Sequence, residues 1–178
     1  MIQQGIVAVL RQLEIPDAQF LFALESSEDF GPYGKVTLQL MFSANKGIAP
    51  ALLKKAASGG ELSRIMLAVK SILAKYVQLP SIMFDEIDTG VSGEISNKMS
   101  AIMQQMSKSM QVFTITHLPQ IAAKGDTHFK VFKEDRGATT VTQLKKLDAD
   151  ERLQEIAQML GGKEITETAK QHAQQLLN

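Results

Sequence analysis

Cysteine and tryptophan are both absent from the 178 residues. Without cysteine there are no disulfides and no thiolate zinc sites, and the three histidines, His117, His128 and His172, are too scattered to form a metal cluster by spacing. Any metal must be held by oxygen. Net charge is absent too: 19 basic side chains balance 19 acidic ones, so no overall field draws nucleic acid or an anionic membrane to the surface. No run of about 18 apolar residues and no basic-then-apolar leader occurs, so neither a membrane-spanning helix nor a signal peptide is predicted and the cytoplasm is the expected compartment. What is present is 44% hydrophobic residues, enough to bury the core of one compact domain, and nine methionines, which suit an adaptable core but say nothing about function.

The pattern changes along the chain. Gly5 to Leu13 is a short apolar helical stub ending before Pro16, and it reads as the cut end of something longer. Ala18 to Leu24 and Lys35 to Phe42 read as strands of an antiparallel hairpin about the turn Gly31-Pro32-Tyr33-Gly34, followed by a loop from Asn45 to Pro50. Beyond Ser58 strand and helix alternate. Leu62, Ile65, Met66, Val69, Ile72, Leu73 and Tyr76 make an apolar stripe on a helix from about Gly59 to Tyr76. Ile82-Met83-Phe84 after Pro80 reads as a parallel strand buried on both faces. A helix from about Gly93 to Met106, with Ile95, Met99, Ile102, Met103 and Met106 inward, leads to a second buried strand from Val112 to Ile115. Phe129 to Lys133 and Thr139 to Leu144 form a hairpin about Asp135-Arg136-Gly137, and two helices separated by the C-cap signal Gly161-Gly162 close the chain.

Three places carry chemistry. Ser58-Gly59-Gly60-Glu61 opens the strongest helix as a capping box, yet each glycine in its first turn costs up to about 1 kcal/mol of helix propensity. Bare glycines at the positive end of a helix also let an anion approach the free amides. A cap and a phosphate site fit this segment equally well. Asp85-Glu86 sits where a buried strand meets solvent, and neighbours on a strand point opposite ways, so one carboxylate can face Mg²⁺ and the other an attacking water. A solvated loop is the alternative. His117 follows Thr114-Ile115-Thr116 at the edge of the next strand, where an imidazole can sense a γ-phosphate. A lone histidine in such a place is usually structural, and His128 and His172 keep that reading.

Taken in order, Ala57-Ser58-Gly59-Gly60-Glu61-Leu62-Ser63-Arg64, Ile82-Met83-Phe84-Asp85-Glu86-Ile87-Asp88 and Ile115-Thr116-His117 resemble the signature, Walker B and switch regions of ABC ATPases. Transporter subunits usually carry glutamine in place of Glu61, whereas Glu61-Leu62-Ser63-Arg64 resembles the SMC-type and DNA-repair branch. Val91-Ser92-Gly93 after Asp88-Thr89-Gly90, Thr116-His117-Leu118-Pro119-Gln120-Ile121-Ala122 and Leu160-Gly161-Gly162 carry the resemblance over nearly the whole chain, to bacterial repair members of that branch. The resemblance implies an α/β fold: the C-terminal lobe, residues 16–178, of an ABC-type (P-loop NTPase-like) ATPase head, a mostly parallel sheet flanked by helices with β-hairpins at its edges. It implies that residues 1–15 are the stub of a coiled-coil arm. It further implies an ATP-dependent protein of double-strand-break repair and recombination. Asp85 would hold Mg²⁺ through water, Glu86 polarise the attacking water, His117 contact the γ-phosphate, and Ser58, Gly59, Gly60 and Glu61 reach the ATP of a second head. SMC heads usually have aspartate where this chain has Ser92, so the D-loop role is not carried to Ser92, and Asp88 is the nearest candidate.

A Walker A loop, Gly-x-x-x-x-Gly-Lys-Ser/Thr, is missing: Gly34-Lys35 and Gly162-Lys163 lack its other residues. ATP and Mg²⁺ therefore require an N-terminal half of the same head, and the expected partners are that half, a second head in an ATP-dependent homodimer, and DNA through the full-length protein, with no membrane. The chain alone is expected to be inactive. Two rivals are a non-catalytic scaffold with the ABC fold and a sequence-independent DNA-binding module using Lys54, Lys55 and Arg64.

Overall fold

The structure, a computed structural model, describes residues 2–32, 34–137, 139–162 and 164–178. Tyr33 of the expected first turn and Lys163 of the Gly162-Lys163 pair lie outside the described residues. The chain divides into two compact units, residues 1–114 and 115–178.

In the first unit, α1 (Ile2–Gln12) is too short to persist by propensity alone and is held by burial of Ile6 and Leu10. Gly5 allows it close to α3 (Gly59–Val77), since a Cβ there would lie 3.1 Å from Ile72 Cδ1. α1 ends in a Schellman turn rather than through Pro16: Glu14 is left-handed (φ 62) and the Ile15 amide donates to Leu10 O at 3.0 Å. Leu10 and Ile15 join Ile6, Phe20, Phe42, Ile65, Ala68 and Ile72 in one core. The first hairpin is antiparallel as expected but longer, β1 (Gln19–Gly31) pairing with β2 (Gly34–Ser43) past a register shift between Ser26 and Gly31. The short β3 (Ala51–Leu52) adds to β2 and runs into α2 (Leu53–Ala56).

One expectation is met in part and one needs correction. On α3 the buried residues are Ile65, Leu67, Ala68, Ser71, Ile72 and Ala74, so Ile65 and Ile72 of the apolar stripe are covered, whereas its Leu62, Met66, Leu73 and Tyr76 are exposed, Tyr76 by 62%. The helix is apolar on more than one side, and α1 and α4 (Gly93–Ser107) take up only part of that surface. The strands β4 (Ser81–Asp85) and β5 (Gln111–Ile115) pair with each other, but they are not buried on both faces. Phe84 is fully buried under Lys70 of α3, and Thr114 meets Met103 of α4, while Met83 (57% exposed), Phe113 and Ile115 stay open on the other face. Among the described residues, α3 and α4 meet the pair on the face of Phe84 and Thr114. α4 buries Met99, Ile102, Met103 and Met106 as read, with Ser96 and Ser100 in place of the half-buried Ile95.

In the second unit, the short α5 (Pro119–Ala122) precedes the hairpin of β6 (Phe129–Arg136) and β7 (Thr139–Lys146). α6 (Ala149–Gly161) starts on an Asp148–Glu151 capping box and ends at Gly162, as the glycine pair predicted, in a conformation (φ 78, ψ −151) open essentially to glycine alone. It packs on α7 (Glu167–Leu177) through Ile156, Ala157, Ala169 and Ala173, and the approach is close at its end, where a Cβ on Gly161 would lie 3.1 Å from Ala169 Cβ. The fold is α/β with antiparallel hairpins in both units.

Candidate functional site

The start of α3 decides between the two readings of its glycines. Ser58 is extended (φ −70, ψ 167), its hydroxyl accepts from the Glu61 amide at 3.4 Å, and the Glu61 carboxylate accepts from the Ser58 amide at 2.7 Å. The cap is formed, and it accounts for Ser58 and Glu61. It does not account for the glycines, whose amides have no acceptor inside a helix at these positions. Gly60 is explained by packing: a Cβ there would sit 2.5 Å from the carbonyl oxygen of Gly90, itself a left-handed glycine (φ 74). Gly59 meets nothing within 4 Å, so no packing constraint requires it to be bare.

The next two side chains hold this turn. Ser63 Oγ lies 3.2 Å from Gly59 O and 3.3 Å from Thr89 O, within donating reach of both. Arg64 Nε donates to Gly60 O at 3.1 Å, and its guanidinium also reaches Leu13 O at 3.0 Å and Glu14 O at 3.4 Å. Arg64 is thereby spent on backbone carbonyls, which removes it from the DNA patch once drawn with Lys54 and Lys55.

Asp85 ends β4 and is exposed; Glu86, also exposed, follows with φ 48. The second carboxylate is therefore aimed by its own left-handed backbone and not by the strand alternation expected from the sequence. The Thr89 amide (3.2 Å) and hydroxyl (3.0 Å) both donate to Glu86 O and close this turn. Asp88 is 1% exposed, and its carbonyl accepts from the Val91 amide. Ser92 caps α4 by position only, with no side-chain cap bond, and is exposed. The structure thus joins the glycine turn to the loop after the carboxylates, through Ser63, Thr89, Gly60 and Gly90. Gly90 was legible as a turn residue, but nothing in sequence placed residue 90 against residue 60.

His117 belongs to the second unit, exposed between β5 and α5, where the Leu118 amide donates to Thr116 Oγ1 at 3.0 Å. His172 is exposed on α7. His128 is half-buried, with its Nδ1 enclosed and its pKa held below the usual 6.5 by burial and then by the Arg152 charge. Among the described residues no group of three or more histidines or carboxylates could hold a metal. One or two exposed carboxylates are nevertheless what Mg²⁺ takes from a protein when phosphate oxygens complete its shell, and Asp85 with Glu86 fits that donor set.

No family model matches the chain. Among curated proteins it is 41% identical to the DNA repair protein RecN of Deinococcus radiodurans over 97% of its own length and 30% of that protein's. It is 44% identical to DNA repair protein RecN of Bacillus subtilis over 79% of this chain and 24% of that protein. The chain thus spans less than a third of the relatives it matches. Among solved structures it resembles, with a TM-score of 0.67 and 21% identity, the Smc head domain with a coiled coil and joint derived from Pyrococcus yayanosii, covering 87% of this chain and 28% of that one. A second, from work on ATP-driven dimerization and DNA-stimulated activation of SMC ATPases, gives 0.63 at 18% identity and covers 92% and 93% of the two chains. Both likenesses speak for the fold.

Proposed function

Because the chain belongs to the RecN family, at 36–44% identity over 79–99% of its length, we propose that it works as the C-terminal part, residues 16–178, of the ATPase head of a DNA-repair protein, with residues 1–15 leading from a coiled-coil arm. In this reading ATP holds two heads together, its hydrolysis requires the N-terminal half of the head and a second head, and double-strand breaks in DNA are engaged through the full-length protein. The protein acts in the cytoplasm, at the nucleoid.

The observation that carries the reading is Gly59. It is a bare helix-opening residue with open space where a side chain would be, beside a turn whose other members are each explained by capping or packing. An amide at the positive end of a 19-residue helix, approachable from outside, suits an anion such as a γ-phosphate. Ser58, Gly59, Gly60 and Glu61 would face the ATP of the second head. Asp85 would hold Mg²⁺ through water, and the metal when bound would neutralise phosphate charge. Glu86, exposed and set apart by its left-handed backbone, would take the proton of the attacking water. His117 would contact the γ-phosphate, and the loop of Asp88 would relay between sites. The exposed apolar faces, Leu62, Met66, Leu73 and Tyr76 on α3 and Met83, Phe113 and Ile115 on the strand pair, support docking of the missing half.

The test is Glu86→Gln in the full-length protein. ATP-dependent association of heads should persist while turnover falls by about 10²-fold or more, since a base is lost and charge-neutralising groups remain. Near-normal kcat removes Glu86 from the role.

A further inference from the structure

α1 ends with backbone oxygens of Leu13 and Glu14 at the negative end of its dipole, and a cation is the natural partner for them. Arg64 supplies it from another helix, at 3.0 Å from Leu13 O and 3.4 Å from Glu14 O. The same guanidinium reaches back four residues to Gly60 O at 3.1 Å. One planar group therefore spans the end of α1 and the first turn of α3, which a lysine ammonium on a flexible stem does not reproduce. Glu14, in its left-handed position, is tied a second time through its ion pair with Lys98 of α4. Ser63 Oγ lies within donating reach of both Gly59 O and Thr89 O, and the Gly90 backbone lies against Gly60.

We propose that Arg64 is a positioning residue that locks the orientation of the Gly59-Gly60 turn to the C-terminal end of α1, so that a displacement of α1 is transmitted to those amides. This rests on the reading that the amides meet a phosphate. The mechanical part stands independently. Arg64 ties Gly60 O to the end of α1, and Ser63, on the same helix, is within donating reach of Thr89 O, so the first turn of α3 is held towards two different neighbours and has little freedom to rotate unless one hold gives way.

The mechanical part is tested by amide hydrogen exchange on this chain. Arg64→Lys and Arg64→Ala should each speed exchange at Leu13 and Ile15, at the end of α1, and at Glu61 and Leu62, at the start of α3, by about tenfold relative to Ile72 and to α7. Lys98→Met, which removes the ion pairs with Glu14 and Glu94 and leaves Arg64 in place, should leave Glu61 and Leu62 unchanged. Acceleration confined to Leu13 and Ile15, or spread evenly over the first unit, overturns the coupling. Arg64→Lys carries the test if Arg64→Ala does not fold. In the full-length protein Arg64→Lys should lower kcat about fivefold while the half-saturating ATP concentration stays within about twofold, a split expected of coupling and not of a lost phosphate contact. An unchanged kcat there, with Glu86→Gln inactive, removes the coupling and keeps the functional reading. Unchanged turnover in both variants removes the functional reading and leaves exchange to decide the mechanical part.

Discussion

Gly59 and Gly60 are adjacent in one helical turn and answer to different constraints, so alanine should separate them. At position 60 a methyl group would collide with the backbone of Gly90, which has no flexible end to swing away. Gly60→Ala should destabilise the chain by about 1–3 kcal/mol, read as a lower urea midpoint with an unchanged slope. At position 59 the methyl meets open space. Gly59→Ala should leave the midpoint unchanged or raise it, by up to about 1 kcal/mol of helix propensity, while impairing ATP-dependent head association in the full-length protein. Equal destabilisation by both changes would mean that Gly59 is as structural as Gly60. Glu86 shows the same tension in one residue: its left-handed backbone costs on the order of 1 kcal/mol, and glycine or asparagine would sit there more easily. A carboxylate that occupies a strained position beside another carboxylate is better explained by chemistry than by folding.

Among the elements, the hairpin of β6 and β7 and the helix α6 hold a pH-sensitive contact. Lys130 of β6 pairs with Glu155 of α6, and Arg152 donates to the carbonyls of Ala123 and Gly125, so His128 faces two cations and one carboxylate. Burial and Arg152 depress its pKa, so the unfolded chain binds a proton that the folded chain refuses. Stability should therefore fall as pH drops below about 6.5, and His128→Gln should reduce the difference between urea midpoints at pH 7.5 and 5.5. An equal difference in the variant would assign the effect to other groups. The elements themselves were largely legible. The capping box at Ser58, the period of α3, the hairpins and the C-cap at Gly162 all follow from local chemistry. Two things did not. Residues 25–31 lengthen the first hairpin although Glu25, Ser26, Ser27, Glu28 and Asp29 show no apolar alternation, because Glu25, Ser26 and Gly31 pair with Thr37, Val36 and Gly34 of β2, a backbone pairing that the apolar pattern does not report. The covered sides of α3 and β4 do not follow from the sequence either, because periodicity reports which residues are apolar and not which neighbour covers them.

At the scale of the molecule, the chain carries groups suited to phosphate without the loop that grips one. Gly59 is a single approachable helix-end position, and Asp85-Glu86 contributes negative charge, which repels a nucleotide until a cation intervenes. High-affinity nucleotide sites wrap phosphates with several amides and a lysine, and no Gly-x-x-x-x-Gly-Lys-Ser/Thr stretch occurs in the sequence. Calorimetry of the isolated chain with Mg²⁺-ATP should therefore detect no binding tighter than about 1 mM, and no hydrolysis should accompany it. Adding the N-terminal half of the head in trans should restore both, because it brings the phosphate loop and covers Leu62, Met66 and Tyr76 of α3, large apolar side chains that water now contacts. The two effects can be told apart. If the half-head binds this chain but ATP affinity stays weak, the open faces are a docking surface and the carboxylates are not part of a nucleotide site. If the isolated chain binds ATP at micromolar concentration, the phosphate grip lies within these residues and the composite site is wrong.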